Sequence, residues 1–163
     1  MMKMDDFYTS NAKITINQES SPFVRVYSGV EGIKEVYRDT LTTPPDESIY
    51  ALLNPKSVHP EIFSWLNDTY TKQRVKQGIF ANVFITKGQG EEVSDYANED
   101  EKALRKTFLV ERYDFDFECE VNIYADKVAL IDYTPNMLRA LIIQDKIITK
   151  TMKSFYLHYL WKQ

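Results

Sequence analysis

The chain of 163 residues has one cysteine, Cys119, so no intrachain disulfide can form and a disulfide-stapled secreted fold is excluded. Glycine and proline are scarce, with 5 and 6 residues. That is well below their usual combined share of about 12% and argues against a linker, a collagenous segment or low complexity. Positive charge is not in excess: 20 basic against 24 acidic residues leave a net charge of −4. A chain that binds nucleic acid by itself carries a basic footprint, so direct nucleic-acid binding is not expected. No apolar run approaches the roughly 18 residues needed to cross a bilayer, so no membrane role is expected. The first residues, Met1 to Asp6, turn acidic where an export signal would turn apolar. The expected compartment is the cytoplasm.

What is present is ordinary globular material, 44% hydrophobic and 13% aromatic. Residues 1–21 are polar and read as a tail or the remnant of a longer chain; residues 22–163 read as one domain. Phe23 to Tyr27 has the character of a short strand. Ile33, Val36, Tyr37 and Leu41 then recur at helical spacing until Pro44-Pro45 stops them. Ser48 to Leu53 is a second strand. Pro60 opens a helix carrying Ile62, Phe63, Leu66, Tyr70 and Val75, which Gly78 ends. Ile79 to Thr86 is a third strand. Residues 91–106 are charged, with a helical stretch expected at Asp100 to Arg105. Strands follow at Phe115 to Tyr124, Val128 to Tyr133 and Leu138 to Ile143, and a helix closes the chain from Asp145 to Lys162. Early alternation implies parallel strands with helical crossovers, and the late hairpins imply antiparallel ones. The expected architecture is α/β, a three-layer α/β/α sandwich around one mixed sheet.

Few residues offer chemistry. Gly29-Val30-Glu31-Gly32 sits where a phosphate could meet backbone N–H groups, but it lacks the further residues of a dinucleotide or P-loop motif, and a tight strand-to-helix turn explains it. Asp114, Asp116, Glu118 and Glu120 alternate with apolar residues. Their i, i+2 spacing puts them on one strand face, read as a solvated face with Cys119 pointing into the core. His59 and His158 lack partners at ligand spacing, so no metal and no cofactor are expected. The last helix is unusually apolar: Ile147, Ile148, Met152, Phe155, Tyr156, Leu157, Tyr159, Leu160 and Trp161 exceed one core-facing stripe. Either both its sides are covered within the monomer, or Phe155, Tyr156, Tyr159 and Trp161 meet a second chain in a homodimer.

Several segments in order resemble the effector-sensing domain of the TrmB family of transcriptional regulators. They are residues 24–33, Val36 to Leu41, Arg74 to Ile79, Val121 to Ala129, and Trp161 after its Phe155-containing helix. The resemblance implies a phospholipase-D-like fold stripped of catalysis. The signature of that fold is His-x-Lys-x4-Asp, and no His-x-Lys pair occurs anywhere in this chain. With Asp126 in the Asp place, the His and Lys places fall on Cys119 and Val121. The stretch before Phe23 is too short for the winged helix that family members carry. The resemblance therefore implies a non-enzymatic domain that senses a small polar metabolite, a sugar among the possibilities, and dimerises without touching DNA itself. Ligand candidates, chosen because they follow expected parallel strands, are Asn54, Lys56, Ser57, Thr86 and Lys87. The alternatives are a divergent phosphodiesterase or nuclease of the same fold using His59 or the acidic stripe, and a pure assembly module.

Overall fold

In a computed structural model, which describes residues 22–87, 98–111 and 118–160, seven strands form one sheet. They are β1 (Phe23–Ser28), β2 (Ser48–Leu53), β3 (Phe80–Lys87), β4 (Arg105–Glu111), β5 (Glu120–Tyr124), β6 (Lys127–Asp132) and β7 (Arg139–Gln144). The order across the sheet is β1-β7-β6-β5-β2-β3-β4. Strands β2, β3 and β4 are mutually parallel, whereas β2–β5, β5–β6, β6–β7 and β7–β1 pair antiparallel. The sheet is mixed, as expected. Its parallel part, however, does not include β1, which sits at the far edge against β7.

Among the described residues the helices include α1 (Gly29–Thr40), α2 (Pro60–Trp65), α3 (Thr71–Lys76) and α4 (Lys146–Leu160), with a π-helical turn, Leu66–Tyr70, joining α2 to α3. Alternation along the strands divides the core. Ile49, Ala51, Ala81, Val83, Ile85, Ala129, Ile131 and Ile142 meet Ile33 and Val36 of α1 and Ile62 of α2. Phe84, Val110, Ile123 and Val128 point the other way and meet Tyr156 of α4. Helices thus cover both faces, giving three layers.

Local signals account for the boundaries. Gly78 adopts φ +72°, a conformation open to glycine at little cost, and its N–H closes the end of α3 on the Val75 carbonyl. Asp145 caps α4, its Oδ1 accepting the N–H groups of Ile147 and Ile148 at 2.9 and 2.8 Å. One expected element is replaced. Asp100 to Arg105 is a turn rather than a helix, and the following residues form β4. Asp100 organises that turn by accepting from Arg105 Nε, Thr107 N and Thr107 Oγ1. Three bonds to one carboxylate outweigh helical propensity here.

Candidate functional site

On the α1–α3 side, small residues leave space. Ala51 and Ala81 lie on neighbouring strands under α2 and α3, where larger side chains would fill the gap. The result is a cavity of about 70 Å³, room for about five waters at 10–15 Å³ of such volume each. Ile49, Ala51, Leu53, Ala81 and Val83 make its floor, and Phe63, Leu66, Asn67, Tyr70 and Thr71 its helical wall. The π-helical turn supplies Leu66, Asn67 and Tyr70 of that wall. Such turns widen a helix by one residue and recur at functional sites.

Glu120 stands at one end of the cavity. It is 4% exposed, and its carboxylate accepts from Tyr37 Oη at 2.7 Å, Asn122 Nδ2 at 2.7 Å and Tyr133 Oη at 3.1 Å. Tyr133 Oη also lies 2.6 Å from Tyr37 Oη, so with Tyr37 donating to Glu120 the single Tyr133 proton is shared between Tyr37 and Glu120. Burial pushes the Glu120 carboxyl above the usual range, and the three donors oppose this. Burial and the neighbouring carboxylate push the Tyr37 phenol well up, so it stays a neutral donor. Tyr37, Trp65 and Tyr70 form an aromatic group beside it, with ring centroids 5.3 to 6.4 Å apart.

At the other end are Arg74 and Arg105. Arg74, 3% exposed, donates through Nη1 to the carbonyls of Ile79 and Leu104 and through Nη2 to that of Ala103. It pins the α3–β3 junction to the turn before β4. Arg105 pairs with Asp100 at 2.7 Å.

The expected acidic face is corrected by this geometry. Asp114 and Asp116 lie outside the described residues, and Glu118 is exposed, but Glu120 is buried among tyrosines. Alternation then turns Cys119 to the opposite face, where it is half-buried beside Leu130 and Leu141 rather than in the core. Burial raises its thiol.

The ligand candidates drawn from the sequence stand at the carboxyl ends of β2 and β3 but not in the cavity lining. Asn54, Lys56 and Ser57 form a turn: Asn54 Oδ1 accepts from Lys56 N, and the Asn54 carbonyl accepts from Ser57 N and Oγ. Thr86 is buried on the opposite face, its Oγ1 without a partner among the described residues. The side chain of Lys87 lies outside the described residues. On α4, Phe155 is exposed, consistent with a surface role. Tyr156 is not: it is 4% exposed, packs on Phe84 and Tyr50, and donates to the Asn82 carbonyl at 2.8 Å. It belongs to the monomer core. The side chain of Tyr159 and all of Trp161 lie outside the described residues.

The Lys-x4-Asp half of the signature fits better elsewhere than at Asp126. Lys127 opens β6 and Asp132 ends it, and Ala125 holds the histidine place. Lys127 and Asp132 keep the Lys-x4-Asp spacing in a sequence where no histidine stands two residues before the lysine. Lys127 is engaged. Its Nζ donates to Asp39 Oδ2 at 2.9 Å, an oxygen that also accepts from Tyr124 Oη at 2.8 Å, while Arg25 donates to Asp39 Oδ1 at 2.9 Å. Burial alone would raise the Asp39 carboxyl, but the bonds from Lys127, Tyr124 and Arg25 win and hold it below the usual range. Asp132 instead bonds Arg139 and Thr134.

No protein-family model matches the chain, and no curated protein sequence matches it. Solved structures do. TrmBL2, an archaeal chromatin protein with a novel mode of DNA binding, superposes with a TM-score of 0.58 at 16% identity over 90% of this chain. The chain spans about half of that protein, 55% of its length. NucT from Helicobacter pylori gives 0.59 at 14% identity, covering 86% of this chain and 96% of NucT. Nuc from Salmonella typhimurium, a phospholipase D family member, gives 0.57 at 15%, covering 88% and 96%. At such identities the likeness concerns architecture, and the architecture is the phospholipase-D-like α/β fold.

Proposed function

We propose that this chain is a non-enzymatic ligand-sensing domain of the TrmB-like type, with the cavity between the sheet and α2–α3 as its effector site. The observation that carries this reading is the cavity itself: an apolar floor opened by Ala51 and Ala81, with Glu120 and Asn122 converging at one end beneath a π-helical turn. The ligand is a small polar metabolite. The Asn54–Ser57 turn adjoins Val58, which lines the cavity, and so serves as its rim. Ligand binding shifts a homodimer whose contact includes Phe155, to the extent that the ligand binds the two arrangements unequally. The chain works in the cytoplasm without contacting nucleic acid.

The test is a thermal-shift panel of sugars, amino acids and carboxylates on the parent and on Ala51→Leu, which fills the floor. A ligand at about 100 times its Kd adds about 2.7 kcal/mol of stability. The expected result is a shift with the parent that Ala51→Leu removes; a shift unaffected by Ala51→Leu places the site elsewhere.

A second reading, a phosphodiesterase, draws support from Lys127 and Asp132 at signature spacing and from the likeness to Nuc. Against it stand Ala125 in the histidine place and the Lys127–Asp39 pair. Turnover of a chromogenic phosphodiester that disappears in Lys127→Ala or His59→Ala would establish it in place of sensing.

A further inference from the structure

The Glu120 carboxylate is buried, lines the cavity, and among the described residues has only neutral donors: Tyr37, Tyr133 and Asn122. Buried carboxylates are ordinarily matched by a cation or a metal. A carboxylate accepts at about four positions, and these residues direct at most three protons to it, so a position is left. The cations that line the cavity stand too far away to fill it. Arg105 is in register with Ala81 on β3, three strand spacings across and four residues along from Glu120, about 19 Å between backbones. Arg74 and Arg105 are engaged at that far end. A metal ion suits the site poorly, because the groups around Glu120 turn protons toward it rather than lone pairs. Nor do three His, Cys, Asp or Glu gather anywhere among the described residues.

The surroundings of that position match an ammonium group on a short apolar chain. The hydroxyls of Tyr37 and Tyr70 are engaged, on Glu120 and Thr40, so both tyrosines offer the cavity their rings, which attract a cation. Ala51 lies one strand spacing and two residues from Glu120, about 8 Å between backbones, so a chain leaving the carboxylate runs over Ala51 and Val83. The cavity, with room for about five waters, holds about five heavy atoms. The geometry points to a small primary amine of about three or four carbons as the ligand, its ammonium group on Glu120 and its chain between Ala51 and the wall of Phe63 and Leu66. This inference rests on the sensing reading and narrows its ligand to a single positive charge on an apolar chain.

The experiment follows the backbone amide signals of the full, isotope-labelled chain by NMR at about pH 8, where a primary amine is protonated. The probes are propylamine and butylamine against butanol, butyrate and 4-aminobutyrate, at matched ionic strength and up to about 20 mM, since so small a ligand makes few contacts. Butylamine should give saturable shifts at Ala51, Ala81 and Asn122. Butanol and butyrate lack the ammonium group and should bind at least about tenfold more weakly, as expected for loss of a charge-assisted hydrogen bond. 4-Aminobutyrate should be weakened by a similar factor, because its carboxylate would lie over the apolar floor. Glu120→Gln should weaken butylamine at least about tenfold with an unchanged circular dichroism spectrum. The comparison of butylamine with butanol in the parent stands even where that variant does not fold. Butanol or 4-aminobutyrate binding as well as butylamine, undiminished binding by folded Glu120→Gln, or saturable shifts confined to residues outside the cavity overturns the inference. So does the absence of any shift with either amine. If a member of the wider metabolite panel then binds and Ala51→Leu removes it, the sensing site stands and the amine class alone falls. Silence from the probes and from that panel overturns both.

Discussion

The two faces of the sheet are built on opposite principles. Against α4, Phe84, Val110, Ile123 and Val128 close over Tyr156, and no ionised group is buried among them. Against α1–α3, β5 and β6 carry Glu120, which accepts from Tyr37 of α1 and from its neighbour Asn122, and Tyr124 and Lys127, which bond Asp39 of α1. One face is packed for stability. The other retains space and unequal charge, the conditions for recognising a small molecule. The alternation of β5 makes both from five residues: Val121 and Ile123 go one way, Glu120, Asn122 and Tyr124 the other.

Substitutions can break this contrast, beginning with the largest effect. Phe84→Ala, at a wholly buried ring between Phe108 and Tyr156, should cost about 3–5 kcal/mol by denaturant unfolding. A loss under about 1 kcal/mol would mean that the α4 face is not the stable one.

Asp39→Ala should cost about 2 kcal/mol, because it leaves Arg25 and Lys127 without their shared carboxylate in a partly exposed setting. The pH dependence has a definite sign. A carboxyl held below its usual range in the folded chain stabilises fully above its unfolded value and loses that contribution as pH falls through the folded one. Acid unfolding of Asp39→Ala should accordingly be shallower than that of the parent.

Glu120→Gln sharpens the comparison with a smaller change, within about 1 kcal/mol at neutral pH, since Tyr37 and Tyr133 still find an acceptor. Its sign is opposite to that of Asp39. A carboxyl raised by burial contributes below its unfolded value and loses that contribution as pH rises through the folded one. Parent and variant should therefore converge as pH falls and separate as it rises, in stability measured by denaturant titration.

Phe155→Ser, at an exposed position, should leave monomer stability within about 0.5 kcal/mol. If the proposed homodimer forms through Phe155, this variant should lower the apparent mass that light scattering gives for the parent at about 100 μM. Retained dimer in this variant would move the contact elsewhere.

The sequence made much of this legible. Ser48–Leu53 matches β2 end for end, and β1, β6, β7 and the last helix lie within a residue or two of their periodic stretches. These segments have clean alternation or spacing and clear stops. Strand β4 did not: in Arg105-Lys106-Thr107-Phe108-Leu109-Val110 the apolar residues run together after a charged stretch, and the pairing with β3 that makes it a strand is non-local. The acidic stripe failed for a related reason. Four carboxylates on one side read as solvated, and nothing local says that Tyr37, 83 residues away in the chain, will meet the last of them together with Tyr133 from the end of β6. The candidate site was illegible because its space comes from Ala51 and Ala81, whose adjacency exists only in the parallel pairing of β2 with β3.

The far-edge position of β1 has a consequence in time. Phe23 pairs with Gln144 and Ser28 with Arg139, so the first strand of the sheet finds its partner only after almost all the others have been made. Contacts of such sequence separation carry the largest loop-closure cost and form late. During synthesis, the exposed side chains of Phe23, Val24 and Val26 must wait as an unpaired strand until β7 emerges.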